Sequence, residues 1–183
     1  PESATYDDLA GNAFPSQKAY QNEKRNQVNT RIVRKLETDF GKQEFGVSGA
    51  FAQLHNDITD KDGKYYAVGL HTENNYKRFN LQSSVIHYQY DAKNPDGVNS
   101  DMTLMGANGL TPAYFIASEG TVTSLNLAYT LPVKDFGKLK AIRFYNDYSY
   151  LDKARNDWSD SQMNTTGMMF IASPFMIWAD YTL

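Results

Sequence analysis

The chain has no cysteine among its 183 residues, which excludes a disulfide scaffold and a thiolate metal site but leaves the redox compartment open. It also lacks any apolar run approaching the roughly 20 residues that a membrane-spanning helix needs. Positive charge is not in excess: 18 Lys and Arg residues are outnumbered by 21 Asp and Glu residues, which gives a formal net charge of −3 and an isoelectric point of about 5.6. Because nucleic-acid binding calls for a clustered basic face, we expect no nucleic-acid partner.

Alternation of apolar and polar residues is the main pattern that is present. Segment 138–152 reads KLKAIRFYNDYSYLD. One set of alternate positions holds Ile142, Phe144, Asn146, Tyr148 and Tyr150, and the other holds Ala141, Arg143, Tyr145, Asp147 and Ser149. A period of two residues is typical of a β-strand. At about 3.4 Å per residue the run is roughly 40 Å long, well beyond most strands in soluble sheets.

The same alternation predicts about ten strands along the chain, separated by breaks rich in Gly, Asn, Asp and Pro. The predicted strands are Val28–Thr38, Phe45–His55, Tyr65–Thr72, Tyr76–Tyr90, Asp101–Gly106, Pro112–Ser118, Thr121–Leu131, Leu139–Leu151, Gln162–Ala172 and Phe175–Leu183. Short links at 73–75 and 173–174 alternate with long charged links at 56–64, 91–100 and 152–161. We therefore predict an all-β fold, an antiparallel up-and-down meander, over residues 29–183.

The first 28 residues are polar and lack a sustained period, which predicts a loop or arm. A short helix over 17–26 is the alternative that these residues leave open. The chain opens on Pro1 and shows no signal peptide. We therefore expect a processed product or a fragment, with any export signal upstream.

The two faces of the predicted strands differ in chemistry. Segment 121–131, for example, separates Leu125 and Leu127 from Ser124 and Asn126. An apolar band with aromatic residues toward its ends, opposite a small or polar face, is typical of a transmembrane β-barrel. A soluble β-barrel or sandwich that binds a small ligand also alternates and is the alternative hypothesis. The aromatic residues that we expect to face lipid include Tyr129, Tyr148 and Trp178.

Segment 76–90 (YKRFNLQSSVIHYQY) does not keep one phase. Phe79 and Leu81 fall on one face, whereas Tyr88 and Tyr90 fall on the other. A β-bulge at residues 83–84 would shift the register by one residue and restore the pattern. Alternatively, part of the strand rises above the membrane, where alternation is no longer required.

Patterns that would carry catalysis or metal binding are weak. His55, His71 and His87 recur at a regular spacing, but with the predicted links strand geometry leaves them roughly 20 to 30 Å apart. The loop 57–63 (DITDKDG) lacks the ligand spacing of an EF-hand calcium loop. No motif singles out a nucleophile with its base, and there is no glycine-rich phosphate loop. The sequence therefore predicts no enzymatic activity, no cofactor and no metal site.

Two stretches resemble the later part of Gram-negative outer-membrane porins of the phosphate-selective type. They are residues 46–97 (GVSGAFAQLHNDITDKDGKYYAVGLHTENNYKRFNLQSSVIHYQYDAKNPDG) and residues 144–181 (FYNDYSYLDKARNDWSDSQMNTTGMMFIASPFMIWADY). The elements that carry the resemblance are NNY between two strands, a YxYDxxNP loop, FYNDYS, a DSQxNT strand start and a final hairpin. The resemblance covers about residues 45–183 and contains no catalytic signature.

This resemblance implies part of a large antiparallel barrel in the bacterial outer membrane, commonly trimeric, through which small hydrophilic solutes or ions diffuse, anions among them. It implies lipid and lipopolysaccharide as surroundings. Ten strands are fewer than the sixteen or more that an aqueous channel needs. The last strand ends at Leu183 and not at a terminal aromatic residue, as is common in such porins. We therefore expect a fragment that lacks strands at both ends of the barrel.

The residues that we predict to line the pore are polar positions on the faces interpreted as inward. They are Arg31, Arg78, Asn80, Gln82, Asn126, Arg143, Asp147 and Asp180. Anion-selective members of the family line the pore with Lys and Arg, whereas here the few basic residues are offset by Asp147 and Asp180. For each residue, a structural role in a salt bridge or a strand hydrogen bond is the alternative.

Overall fold

A computed structural model describes residues 20, 22–105, 114–134 and 136–183, and within them every regular element is a β-strand. The strands are β1 (Asn22–Thr38), β2 (Gly41–Asn56), β3 (Lys61–Tyr76), β4 (Phe79–Asp91), β5 (Met102–Met105), β6 (Tyr114–Ala117), β7 (Glu119–Pro132), β8 (Leu139–Lys153), β9 (Ser161–Ala172) and β10 (Phe175–Thr182). The predicted all-β fold is confirmed. No described segment is a helix long and apolar enough to cross a bilayer.

Eight of the ten strands form one antiparallel sheet in chain order, β1-β2-β3-β4-β7-β8-β9-β10. The predicted meander is therefore confirmed. Strands β5 and β6 pair only with each other and form a separate hairpin between β4 and β7. Within the described residues β1 pairs with β2 alone and β10 with β9 alone, so the sheet is open at both edges.

Continuous cross-strand pairing gives the large sheet two chemically distinct faces. The apolar face carries Val28, Ile32, Phe45, Val47, Phe51, Tyr66, Val68, Leu70, Phe79, Leu81, Val85, Leu125, Leu127, Tyr129, Ile142, Phe144, Tyr148, Met168, Phe170, Ile177 and Tyr181. The polar face carries Arg31, Lys35, Glu44, His71, Glu73, Asn80, Gln82, Ser84, Ser124, Asn126, Arg143, Asp147, Ser149, Thr165 and Asp180. The face assignments predicted for 121–131 and 138–152 are thus confirmed.

The sheet curves so that the polar face is concave. Side chains on this face reach across an intervening strand: Arg31 on β1 contacts His71 on β3 at 2.9 Å, and Arg143 on β8 contacts Asn80 on β4 at 3.0 Å. Tyr145 on β8 likewise donates to Asp180 on β10. Gly46 and Gly167 leave room for two of these contacts, and a sheet that curves toward its polar face brings the side chains on that face together. The apolar face is therefore convex.

The β5–β6 hairpin covers the polar face near the end of the sheet where the longer connections lie. Met105 and Ile116 from the hairpin pack against a cluster of Leu54, Tyr90 and Ala92. Lys24 of β1 reaches the same place, where its Nζ atom lies 3.6 Å from the ring centre of Tyr65. Cation–π geometry of this kind ties β1 to the sheet beneath the hairpin.

This hairpin explains why segment 76–90 breaks the alternation. The predicted β-bulge at 83–84 is wrong, since β4 pairs with β3 and β7 without a register shift. Tyr88 and Tyr90 lie on the concave face, together with Leu54 and the hairpin residues that pack there. Aromatic side chains occupy this face because the hairpin, and not water, covers them.

Three predicted boundaries are wrong. The long link predicted at 56–64 is a short turn at 57–60, because β2 continues to Asn56 and β3 begins at Lys61. The link predicted at 73–75 is part of β3, and the chain turns at Lys77 and Arg78, where Lys77 has φ +53°. The polar loop or arm predicted for 1–28 ends earlier, because β1 begins at Asn22 and continues through a register shift between Arg25 and Val28. Backbone pairing with β2 keeps the segment that begins at Asn22 in the sheet, although this segment has no apolar face. The rest of the predicted arm, apart from Tyr20, lies outside the described residues.

Trp178 does not lie on the apolar face, contrary to prediction. It pairs with Met169 of β9, which pairs in turn with Arg143 of β8, and these positions belong to the polar face. Tyr129 and Tyr148 do lie on the apolar face. The error arises because one residue of register decides the face of every side chain in a strand.

Candidate functional site

Seven of the eight residues predicted to line a pore share the concave polar face. They are Arg31, Asn80, Gln82, Asn126, Arg143, Asp147 and Asp180. The eighth, Arg78, lies in the β3–β4 turn, and its guanidinium points to the Tyr129 hydroxyl at 3.5 Å, on the apolar side. Its predicted inward position is wrong because it falls in the turn and not inside a strand.

A row of polar side chains crosses the middle of this face, each paired with the next across neighbouring strands. The row is Lys35, Glu44, Glu73, Gln82, Asn126, Asp147 and Thr165, from β1 to β9. Above it lies a groove of about 370 Å³ that extends from Arg31 and His71 to Asp147 and Ser149. Alternate residues of seven strands form the row, and six of these strands, β1 to β4, β7 and β8, also line the groove.

At the β1 end of the groove four ionisable side chains form one cluster. Glu44 accepts from Arg31 at 2.8 Å and from Lys35 at 3.3 Å, one contact on each carboxylate oxygen. The Arg31 guanidinium also lies 2.9 Å from Nε2 of His71. Because a guanidinium only donates hydrogen bonds, Nε2 accepts from Arg31 in the neutral tautomer that carries its proton on Nδ1.

In the centre of the face an amide links two charged residues. Asn80 accepts from Arg143 at 3.0 Å and donates to Glu73 at 3.1 Å. Asn75 adds a second donor to Glu73 at 3.0 Å and accepts from Asn80 at 2.8 Å. This network fixes the side chains of β3, β4 and β8 relative to one another.

The far end of the groove is lined by hydroxyl, amide and carboxylate groups. Asn126 donates to Asp147, and the hydroxyls of Ser124 and Ser149 are 3.1 Å apart. The Oδ1 atom of Asn126 is buried, with no hydrogen-bond partner in the described part of the chain. Asp147 and Asp180 thus accept hydrogen bonds from neutral partners, Asn126 and Tyr145, whereas Glu44 is bound by charged Arg31 and Lys35.

Sequence reasoning missed Glu44 and Glu73 as members of the face. Glu44 lies just before a predicted strand and Glu73 inside a predicted link, whereas both belong to strands. The alternation of 65–72 does place His71 on the polar face, but it does not predict the contacts of His71 with Arg31 and Glu44. Extending the two-residue period past the turn-like Asn-Asn pair would have found Glu73.

The three histidines do not converge. His71 lies on the polar face, paired with Gly46 and Ser84, while His55 and His87 pair on the apolar side. The predicted links at 56–64 and 73–75 imply partners for His71 near positions 49 and 77. Both are wrong, because the β2–β3 turn lies at 57–60 and the β3–β4 turn at 77–78. Among the described residues no group of three or more His, Asp or Glu side chains could hold a metal ion.

The apolar face is exposed across the whole sheet. Ile32 is 74% exposed, Leu70 61% and Ile177 57%, on strands at the two edges and inside the sheet. Large contiguous apolar patches on a protein surface mark sites of contact with a membrane, a ligand or another protein. The convex face is therefore a candidate contact surface.

Ion pairs and hydrogen bonds to carboxylates hold the long β8–β9 connection in place. Arg155 holds Asp157 at 2.9 Å and also reaches Asp101, just before β5. The hydrogen bond from Arg155 holds the pKa of Asp157 below its ordinary value. Tyr150 and the Lys153 backbone N–H donate to Asp160 and lower its pKa in the same way. These contacts connect the loop to the hairpin that covers the concave face.

Comparison of the chain with family models, curated proteins and solved structures gave no match.

Proposed function

We propose that the chain forms part of an outer-membrane porin, a β-barrel through which small hydrophilic solutes or ions diffuse passively. The observation that carries this proposal is the pairing of a continuous exposed apolar face with a concave polar face on the same eight strands. A soluble sheet buries its apolar face, whereas a membrane barrel turns that face outward to lipid and keeps its polar face inside.

Strand length supports this proposal. Strands β2, β3 and β8 contain 16, 16 and 15 residues, or roughly 50 Å each at about 3.4 Å per residue. An apolar band about 25 Å tall requires only part of that length even when strands tilt by about 40°. The remainder would extend past the bilayer, where the β5–β6 hairpin and the long connections lie.

The open edges of the sheet, at β1 and β10, also support the proposal. Backbone N–H and C=O groups have no hydrogen-bonding partner in hydrocarbon, so an open sheet edge is not stable there. The free edges of β1 and β10 would therefore pair with further strands to close a barrel. Following the resemblance, we place this barrel in the bacterial outer membrane, surrounded by lipid and lipopolysaccharide, and propose a homotrimer.

Single-cysteine labelling tests the orientation of the faces, because the chain has no cysteine of its own. Ser124 and Leu125 are neighbours on β7 that lie on opposite faces. In lipid vesicles we expect a water-soluble maleimide to label Ser124→Cys and to leave Leu125→Cys unlabelled. Unfolding in detergent should make both cysteines reactive, which provides the control for intrinsic reactivity.

Conductance tests the channel itself. The full-length barrel of which this chain is proposed to form a part, purified and added to a planar lipid bilayer, should give discrete conductance steps that persist without nucleotide or any other energy source. Equal labelling of both cysteine variants, with the protein remaining monomeric in detergent-free buffer, would refute the porin and support the soluble ligand-binding β-fold. Correct labelling without conductance would support a membrane barrel but refute a channel.

A further inference from the structure

His71 occupies a position that controls the charge of the groove. Its Nε2 atom lies 2.9 Å from the Arg31 guanidinium and 3.5 Å from Oε1 of Glu44. Arg31 donates to that same Glu44 oxygen at 2.8 Å. The imidazole and the guanidinium therefore compete for one carboxylate atom, and only neutral His71 can also accept a bond from Arg31.

The backbone opposite His71 leaves space for this arrangement. Gly46 pairs with His71 across β2 and β3, and a Cβ atom at position 46 would lie 2.1 Å from Cε1 of the ring. The imidazole consequently lies over the glycine, with only 21% of its side chain exposed. The ring therefore points toward β1. A side chain at position 46 would occupy the same space as the ring.

Protonation would rearrange this contact. The imidazolium has no acceptor for Arg31 and becomes a donor to Glu44, and two adjacent cations repel each other. Arg31, whose side chain is 59% exposed, is the more mobile partner and can turn toward the groove. The groove would then gain one positive charge on His71 and a released positive charge on Arg31.

The other charged groups near His71 do not cancel this change. Lys35 of β1 also binds Glu44, Glu73 of β3 is held by Asn75 and Asn80, and β4 contributes the uncharged Ser84 opposite the ring. Farther along the groove, Asp147 is bonded to Asn126. Glu73 and Asp147 keep their negative charge, but among the described residues neither of them contacts the His71 ring, so neither pairs directly with a new proton there.

We infer that His71 sets the charge preference of the channel, so that lowering the pH from 8 to 5 shifts permeation toward small anions. This inference rests on the proposed porin function. Histidine is the side chain whose charge ordinarily changes in this range. With His71 neutral, Arg31 is held on Glu44 and the groove offers little to an anion.

The test is the reversal potential under a potassium chloride gradient across a planar bilayer, measured at pH 8 and pH 5. We expect the chloride-to-potassium permeability ratio to rise about two- to fourfold in the wild type, as one added charge a few ångströms from a permeating ion predicts in water. His71→Gln should remove most of that rise. His87→Gln, on the apolar side of β4, should keep it.

A ratio that rises equally in the wild type and in His71→Gln would overturn the inference, because other carboxyl groups would then cause the change. A wild-type ratio that is independent of pH would also overturn it. Absence of conductance would instead refute the proposed function.

Discussion

Gly46 lies directly opposite His71 on neighbouring strands, and a methyl group at position 46 would fall within 2.1 Å of Cε1 and 2.3 Å of Nε2 of the imidazole. The inner face of the sheet is crowded at this point because two neighbouring strands, β1 and β2, direct Arg31 and Glu44 to the same ring. The position of the His71 ring, and not an unusual backbone angle, therefore favours glycine at position 46.

Gly46→Ala should displace His71, break its contact with Arg31 and lower the free energy of unfolding by about 1 to 3 kcal/mol, the usual effect of overpacking. Unfolding in guanidinium chloride from lipid vesicles measures this change. Gly49→Ala is the control on the same strand, since its methyl group would approach no atom closer than 3.3 Å. The double variant Gly46→Ala with His71→Ala should recover most of the loss, and failure to do so would assign the effect to the backbone.

Val85→Arg should impair insertion of the folded protein into lipid, whereas Ser84→Arg should not. The two residues are neighbours on β4, with Val85 on the apolar face and Ser84 on the polar face. An arginine facing lipid near the bilayer midplane costs about 2 to 4 kcal/mol, and one facing water costs little. The yield of vesicle-bound, protease-resistant protein measures the difference. Equal yields for the two variants would contradict the assignment of faces.

Arg143→Gln should shift ion selectivity toward cations. Arg143 lies on the polar face and donates to Asn80, a neutral partner, so its charge is not cancelled by a direct salt bridge. Removing one such charge near a water-filled path should change the permeability ratio about twofold. Arg34→Gln makes the same change on the apolar side of β1 and should leave selectivity unaltered. Unchanged selectivity in Arg143→Gln would remove Arg143 from the pore lining.

The Arg155–Asp157 contact should loosen in acid. Because Arg155 lowers the pKa of Asp157 below 3.8, the contact contributes to loop order above that pH and is lost as pH falls through the lowered pKa. Pepsin cleavage of the β8–β9 loop measures this order. Asp157→Asn should be cleaved faster than the wild type near pH 5, and the difference should vanish near pH 2. A constant difference at both values would show that ionisation of Asp157 is not involved.

Periodicity in the sequence predicted which segments are strands, and for 121–131 and 138–152 it also predicted which side chains share a face. It failed where polar residues continue a strand, as at Glu73 and at Asn22. The Asn-Asn pair at 74–75 has the composition of a turn, yet cross-strand amide bonds with Glu73 and Asn80 hold it in the sheet. Local composition carries no information about such partners.

The cluster of Arg31, Glu44 and His71 could not be predicted from strand pairing alone. Arg31 pairs with Ser48 and reaches His71 across β2, where Gly46 leaves room for the imidazole. This contact joins residues 40 positions apart in the chain, on strands that are not neighbours in the sheet. In the same way, the alternation of apolar and polar residues does not predict the hairpin that covers Tyr88 and Tyr90, because it assumes that each face meets either water or lipid.

The order of strands in the sheet has a kinetic consequence. Each strand pairs with the next along the chain, except where β4 and β7 must meet across the intervening β5–β6 hairpin. Closing a short link costs less entropy than closing a long one, so neighbouring hairpins form early and the β4–β7 seam forms late. Assembly would therefore proceed from two preformed halves, β1–β4 and β7–β10, whose joining limits the folding rate.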